Sequence, residues 1–218
     1  MHNPATPVTV VDYGLGNIFS VTRALESAGA LVTVSDDPGV IRRARRIVLP
    51  GVGAFSDGMK GLRDRGLVEP LQNVVESGAR LLGICLGMQM LAATSEEFGS
   101  HEGLGLISGH VAPIPDRDTE GRPLKSPHIG WTALDKLPEY DWAHSMLDDT
   151  ANGTPVYLVH SFAMVPENHG DRLADCIYGG WRVSTAICRG RILGCQFHPE
   201  KSGPAGLAML RAFLKLPI

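Results

Sequence analysis

The sequence predicts an α/β protein with a doubly wound, mostly parallel sheet, helices on both faces and a smaller antiparallel subsheet joined to that core. Over roughly the first 100 residues, short apolar runs alternate with segments whose apolar residues recur at helical spacing, which is typical of parallel sheets. After that point strand-like runs follow one another without long helices, which indicates antiparallel pairing. The 218 residues fit a single domain, 1–218, better than two.

The first half alternates strands and helices in a readable order. A β-branched run at 8–11 predicts the first strand, and an amphipathic pattern that stops at a glycine predicts a helix over 17–29. Further strands are expected at 31–34, 46–50 and 81–84. Further helices are expected at 56–65, 67–77 and 86–94, and the basic run 41–46 is interpreted as a solvated helix end. Because ligands bind beyond the carboxyl ends of parallel strands, we expect the loops 11–17 and 50–53 to share one rim with Cys85.

The second half is predicted to be mainly antiparallel. Its expected strands are 104–107, 155–160, 173–178, 184–188 and 191–197, with a tight hairpin at Arg189 and Gly190. The polar stretches 115–125 and 138–154 are expected to be surface loops, and a closing helix is expected at 204–214.

Composition narrows the function classes. A net charge of −3 gives no indication of a nucleic-acid surface, and the apolar runs are too short to span a bilayer. Residues 1–7 do not resemble a signal peptide, so we expect a cytoplasmic protein. The four cysteines form no CxxC pair or zinc-like spacing, so neither a metal nor another cofactor is expected. Three of them are expected to be core thiols: Cys176, Cys188 and Cys195.

Cys85 is the most informative residue. It lies in G-I-C-L-G (83–87), where an apolar run stops abruptly, as expected of a buried strand that turns sharply into a helix. The two glycines let the backbone fold around the central residue. A thiol at a helix N-terminus is favoured as the thiolate, which is the nucleophilic form. The segment therefore predicts covalent catalysis.

A second motif, H-P-E at 198–200, ends an apolar strand. His198 and Glu200 are two residues apart in a segment expected to be extended, so their side chains should point the same way. A lone cysteine or histidine is usually structural. The two motifs together predict a Cys-His-Glu triad of Cys85, His198 and Glu200.

These motifs resemble those of the class I, triad-type glutamine amidotransferases, whose nucleophile turn reads G-x-C-x-G and whose acid–base strand ends in H-P-E. Two further segments, D-Y-G-L-G-N (12–17) and P-G-V-G (50–53), make the chain most similar to the glutaminase subunits of imidazole glycerol phosphate synthases. The matching segments extend from near the N-terminus to Ser202. The resemblance implies that glutamine is hydrolysed to glutamate and ammonia.

The resemblance also implies site residues. The backbone amides of Leu86 and Val52 would hold the oxyanion, with Gly53 flanking the peptide that carries one of them. Gln89 would bind glutamine, together with backbone groups at Ser161 and Phe162, where relatives often have Tyr for Phe162. His160 and His128 are expected to be hydrogen-bonded strand residues without a catalytic role.

A partner is implied as well. Free ammonia would be protonated in water, so it must pass directly to an acceptor, which the resemblance identifies as a separate (β/α)8-barrel cyclase subunit. Family interface positions correspond to Asn17, Trp131, Tyr157 and Lys201. We expect the subunit alone to be nearly inert, with the 51–53 peptide turned away from the site until the partner binds.

Three alternatives are left open by the residues. A paralogue could supply ammonia to a different synthase, such as a nucleotide-sugar amidotransferase. A free-standing thiol hydrolase would need no partner. A binding module with a degenerate site is disfavoured by the intact Cys85, His198 and Glu200.

Overall fold

The computed structural model describes residues 5–218, apart from the side chains at 74 and 75. The strands are β1 (Thr6–Val11), β2 (Ala30–Ser35), β3 (Arg46–Gly51), β4 (Arg80–Cys85), β5 (Ala92–Ser95), β6 (His101–Glu102), β7 (Ile107–Pro113), β8 (His128–Ala133), β9 (Pro155–His160), β10 (Phe162–Pro166), β11 (Arg172–Tyr178), β12 (Trp181–Arg189) and β13 (Ile192–Cys195). The helices are α1 (Ile18–Ala28), α2 (Pro38–Arg43), α3 (Phe55–Asp64), α4 (Val68–Glu76), α5 (Leu86–Met90) and α6 (Gly203–Lys215), with 3₁₀ turns at His169–Asp171 and Pro199–Lys201.

A seven-stranded sheet in the order β11-β12-β13-β4-β3-β1-β2 forms the centre of the molecule. The five strands from β13 to β2 are parallel, while β11 and β12 continue the sheet in antiparallel fashion. The predicted fold class, a mostly parallel α/β sheet, is confirmed. The loops after β1 and β3 and the end of β4 accordingly lie on one rim, and Gly51 is directly paired with Cys85.

Both faces of this sheet are buried, which explains the nearly continuous apolar strands. Val48 points into a core shared with α1 and α6, whereas its neighbours Ile47 and Leu49 point into a second core shared with α2, α3 and α4. Asn17 caps α1, and Gly29 ends it in the left-handed conformation with φ 106°, as the glycine stop predicted.

Two boundaries near the nucleophile motif were predicted wrongly. The helix expected over 86–94 ends at Met90, because Ala92–Ser95 pairs as a strand with β6 and β7. The strand expected at 104–107 begins only at Ile107. The preceding backbone folds over α5 instead, with Leu104 N–H bonded to Met90 O and Leu106 N–H bonded to Leu91 O.

The antiparallel part is also divided differently from the single subsheet that was expected. Strands β11 and β12 extend the main sheet, a separate four-stranded sheet has the order β10-β7-β5-β6, and within residues 5–218 β8 pairs with β9 alone. Strands β8 and β10 were not predicted. The hairpin at Arg189 and Gly190 is confirmed, with Arg189 paired to Ile192 and Gly190 at φ 60°. Within residues 5–218, no helix is both long and apolar enough to cross a membrane. The expectation that residues 1–7 are not a signal peptide concerns a segment of which residues 1–4 lie outside the described part.

Candidate active site

Cys85 occupies the sharp turn between β4 and α5. Its backbone has φ 54° and ψ −111°, a conformation that an L-residue rarely adopts and that glycine normally supplies. The neighbouring glycines are needed for a different reason than the one expected. A Cβ at Gly87 would overlap Leu49 O, and a Cβ at Gly83 would lie 2.6 Å from Gly87 O. Close backbone approach therefore demands both glycines, while Cys85 itself carries the strained conformation.

The Cys85 side chain is 7% exposed and opens into a cavity of about 260 Å³ at the rim of the sheet. Concave sites of this kind exclude most water, which strengthens the electrostatic interactions inside them. The cavity is lined by Val52, Gly53, Cys85, Leu86, Gln89, Glu97, Pro127, Val159, His160, Ser161, Phe162 and His198. Most of the residues predicted for the catalytic, oxyanion and substrate sites thus converge on one space.

His198 follows β13 and reaches this cavity from the strand next to β4. His198 itself is extended as expected, with φ −98° and ψ 98°, but the segment after it is a 3₁₀ turn, Pro199–Lys201, so the extended geometry expected at Glu200 is wrong. The turn nevertheless brings the two side chains together, because His198 Nδ1 lies 2.8 Å from Glu200 Oε1 and both side chains are almost fully buried. The carboxylate therefore fixes the Nδ1–H tautomer and leaves Nε2 for chemistry.

The charge state of His198 follows from its two neighbours. Burial alone would lower the pKa of His198, but hydrogen-bonding interactions with Cys85 and Glu200, and the charges of both groups, raise it to about 9. Nε2 is buried without a well-aligned partner among the described residues. Catalytic hydrogen bonds are often loose before substrate binds and tighten on the complex.

The loop that follows β3 faces the nucleophile turn. A Cβ at Gly51 would lie 2.9 Å from Leu86 Cβ, so the loop and the start of α5 are in direct contact. Tyr13 donates a buried hydrogen bond of 2.8 Å to Pro50 O and so joins the loops after β1 and β3. Gly53 has φ 104° with open space around its Cβ position, and Val52 is 40% exposed. The outer half of this loop is therefore free of packing constraints.

Gln89 is committed largely to protein contacts. Its Nε2 donates to Phe162 O at 2.9 Å and to Gln196 Oε1 at 3.0 Å. The Phe162 carbonyl also lies 2.9 Å from His160 Nδ1, so it is occupied by side chains. Gln89 Nε2 and Phe162 O are therefore already bonded within the protein. The groups left for the predicted substrate contacts are the Gln89 side-chain oxygen and the other backbone groups of residues 161 and 162.

Sequence reasoning missed two residues of the site. Gln196 is fully buried and donates from Nε2 to Cys85 Sγ at 3.6 Å. Its position two residues before His198, on the same strand face, was a signal that could have found it. Glu97 lines the cavity, and its carboxylate accepts a 2.6 Å hydrogen bond from Phe55 N–H. No sequence pattern indicated Glu97, because its contact with the start of α3 joins residues that are distant in sequence.

Three of the four predicted interface residues lie together. Trp131 and Tyr157 are direct partners on β8 and β9 with ring centroids 6.0 Å apart, and Lys201 Nζ lies 5.9 Å from the Tyr157 ring centroid. Trp131 is 57% exposed. Asn17 accepts a hydrogen bond from Ser20 N–H as the cap of α1, a helix that contacts the Pro199–Lys201 turn.

The face that carries Trp131, Tyr157 and Lys201 is joined to His198 through backbone hydrogen bonds. His198 N–H donates to Tyr157 O at 2.9 Å, and Tyr157 N–H donates to Ser202 Oγ at 3.0 Å. The Ser202 hydroxyl in turn donates to His198 O at 2.7 Å. A closed ring of three hydrogen bonds therefore joins β9 to the 198–202 segment.

The other two histidines of this region, His128 and His160, make contacts typical of structural residues. His128 stacks on Tyr178 at a centroid distance of 4.1 Å, and its Nε2 lies 3.0 Å from Thr132 Oγ1. Burial lowers the pKa of His160 to about 4, partly opposed by the hydrogen bond to Phe162, so the ring is neutral at physiological pH. Across the described residues, no group of three or more His, Cys, Asp or Glu side chains could hold a metal ion.

Comparison with known proteins identifies the family. The profile of the class-I glutamine amidotransferases matches residues 9–216. Imidazole glycerol phosphate synthase subunit HisH 1 of Legionella pneumophila (strain Lens) is 48% identical over 210 residues, which cover 96% of this chain and 99% of the relative. Subunit HisH of Bacillus velezensis (strain DSM 23117 / BGSC 10A6 / LMG 26770 / FZB42) is 44% identical over 209 residues, 96% of each chain.

The fold has solved counterparts too. A glutamine amidotransferase crystal structure superimposes with a TM-score of 0.71 at 19% identity and covers 95% of this chain and 97% of its own, a likeness that concerns the fold alone. With the family profile spanning almost the whole chain and relatives above 40% identity, the chain belongs to the class-I glutamine amidotransferases and, within them, to the HisH subunits of imidazole glycerol phosphate synthase.

Proposed function

We propose that the chain hydrolyses glutamine to glutamate and ammonia with Cys85, His198 and Glu200, and passes the ammonia to a separate cyclase subunit in histidine biosynthesis. The observation that carries this proposal is the buried 2.8 Å contact between His198 and Glu200 beside a strained thiol that opens into a cavity at the rim of the sheet. Structural cores do not require this combination, whereas acyl transfer does.

The chemistry follows from the charge states. With its pKa raised to about 9 by Cys85 and Glu200 against the effect of burial, His198 holds a proton at neutral pH. The Cys85 thiolate attacks the carboxamide carbon of glutamine, and His198 gives its proton to the departing nitrogen, which leaves as ammonia. The resulting thioester is cleaved by water, which His198 then deprotonates, releasing glutamate. Glu200 keeps Nε2 directed at the reacting atoms throughout.

The negative oxygen of the tetrahedral intermediate needs donors placed in advance. We assign one to the backbone N–H of Leu86 at the start of α5 and the other to the amide of Val52, with Gly53 allowing that peptide to turn. The open surroundings of Gly53 support a loop that changes conformation when the partner binds. This is also why we expect low glutaminase activity from the isolated subunit.

For the partner we propose a (β/α)8-barrel cyclase that binds the face carrying Trp131, Tyr157 and Lys201, with Asn17 at its margin. Aromatic anchors of this exposure are typical of interface centres, and the Lys201 ammonium offers a charge for a partner carboxylate. We also propose a cytoplasmic location, since the four free cysteines suit a reducing compartment.

The test is reconstitution with a purified cyclase subunit, its acceptor and glutamine. We expect glutamate and imidazole glycerol phosphate to form together, at a rate well above that of glutamate release by the subunit alone. Product formation only with another synthase would indicate a paralogous donor. Equal glutaminase rates with and without the cyclase would indicate a free-standing hydrolase and would remove the gated loop.

A further inference from the structure

Gln196 presents an unexplained cost in the core. It lies directly after β13, two residues before His198, is 0% exposed, and is flanked in sequence by Cys195 and Phe197, both members of the apolar core. An amide in such surroundings destabilises the fold unless its polar atoms are hydrogen-bonded. An apolar residue would occupy this position at a lower free-energy cost of burial, so a role for the polar side chain is indicated.

The amide takes part in a relay with a defined direction. Phe162 O can only accept a hydrogen bond, so the Gln89 atom 2.9 Å away must be the nitrogen. The same nitrogen lies 3.0 Å from Gln196, so the Gln196 atom facing it must be the oxygen. The Gln196 nitrogen is thereby turned towards Cys85 Sγ at 3.6 Å. One backbone carbonyl thus orients both amides.

An N–H directed at sulfur distinguishes the two forms of the nucleophile. Hydrogen bonds to an ionised acceptor are about twice as strong as those to a neutral one. Because Gln196 is fully buried, water does not compete for this contact. The relay therefore favours the thiolate over the thiol and also fixes the position of the sulfur.

We propose that Gln196 is a positioning residue that holds and stabilises the Cys85 thiolate, and that Gln89 keeps the Gln196 amide in its donating orientation. The proposal rests on the glutaminase function assigned above. It gives Gln89 a double role, with its nitrogen supporting the nucleophile and its carbonyl oxygen left for substrate. Gln196 does not line the cavity, so it acts through Cys85 alone.

The test measures alkylation of Cys85 by iodoacetamide between pH 5 and 10, followed by mass spectrometry of the Cys85 peptide. Titratable groups around the sulfur are His198 with its partner Glu200, Tyr13 and Cys195, with His160 and Glu97 across the cavity. None of these groups is replaced in the variants, and Gln196→Glu adds one further carboxyl group beside the sulfur. The variants are Gln196→Glu, Gln196→Met and Gln89→Met. The matched control is Ser184→Ala, which lies away from the cavity and removes a buried hydroxyl that has no hydrogen-bond partner among the described residues.

In Gln196→Glu we expect the midpoint of the alkylation profile to move upward by about one pH unit, or about tenfold slower reaction below the midpoint. Gln196→Met should move it in the same direction by less, and Gln89→Met by less again. Glutaminase kcat should fall in both Gln196 variants with little change in KM, whereas Gln89→Met should also raise KM. The Ser184→Ala profile should match that of the wild type.

An unchanged alkylation profile in Gln196→Met would overturn the proposal, even if activity fell, since that pattern indicates packing alone. Gln196→Met retains the volume of the side chain and keeps the test decisive if the Glu variant does not fold. Alkylation does not require turnover. A wild-type protein that failed to hydrolyse glutamine in the presence of the cyclase and its acceptor would therefore contradict the proposed function and still leave the Gln196 result readable.

Discussion

The two glycine-bearing turns that meet at the cavity differ in how they are constrained. At the nucleophile turn, Gly83 and Gly87 are pressed against backbone atoms, and a Cβ at either would collide with them. At the facing loop, Gly53 adopts φ 104° with nothing within 4 Å of its Cβ position. The first turn is fixed by contact and the second only by its own torsion. Under the proposed function, a fixed nucleophile faces an adjustable donor loop, and a partner could then switch activity without moving the thiol.

The largest effect should come from removing the thiol. We expect Cys85→Ala and Cys85→Gly each to reduce glutaminase kcat by at least about 10⁴-fold, because the covalent step is lost. The two should differ in stability. Glycine tolerates φ 54°, so Cys85→Gly should unfold at a free energy about 1 kcal/mol higher than Cys85→Ala. Denaturant titration of both variants gives the difference, and a less stable glycine variant would argue against strain at Cys85.

Gly87→Ala should damage the fixed turn severely. The added Cβ overlaps Leu49 O on β3, whose backbone cannot withdraw without disturbing its pairing with β4. We expect a loss of about 3 kcal/mol in the free energy of unfolding, together with loss of activity. Denaturant titration measures the loss. A near-native stability would show that the turn is looser than its contacts imply.

Gly53→Ala is the matched substitution in the free loop. Steric contacts are absent, so we expect only the backbone penalty of about 1 kcal/mol for a positive φ. Glutaminase kcat in the presence of the cyclase should fall by about 10²-fold, because one oxyanion donor is misplaced. Steady-state kinetics with and without the cyclase would check this. An undiminished stimulation by the partner would exclude a role for this torsion.

A pH dependence of stability is expected on the fixed side. Cys85 and Glu200 raise the pKa of His198 from 6.5 to about 9 against burial, so the protonated ring stabilises the folded state. That contribution is complete below about pH 6.5 and is lost as pH rises through about 9. Glu200→Gln should lower this pKa and shrink the decline. Unfolding free energies at pH 6, 7.5 and 9.5 test this, and parallel curves for the two proteins would contradict it.

The parallel core was predictable because its signals are local. The apolar strands, the glycine stop of α1 and the turn at Cys85 each follow from a few neighbouring residues. Strands β8 and β10 were not predictable, since β8 contains Gly130 and both are defined by partners distant in sequence. Residues 92–94 were predicted as the end of a helix from their local preference. In the fold, the pairing of Ala92–Ser95 with β7 outweighs that preference.

The site divides in the same way. Cys85, His198 and Glu200 stand in short motifs and could be chosen from the sequence. The reason given for the glycines was incomplete, since Gly87 is dictated by Leu49 on another strand. Glu97 and the hydrogen bonds of Gln89 depend on loops brought together by the fold, and no local pattern encodes such meetings.

The hydrogen-bonded ring that joins Tyr157 to His198 and Ser202 has a mechanical consequence. Tyr157 stands on the outer face beside Trp131, yet its carbonyl accepts the His198 amide directly. A force applied to that face would reach His198 through one main-chain hydrogen bond, from His198 N–H to Tyr157 O, without passing through a layer of packed side chains. Partner binding and proton transfer would then be mechanically coupled through Pro199–Lys201, the short turn that follows His198.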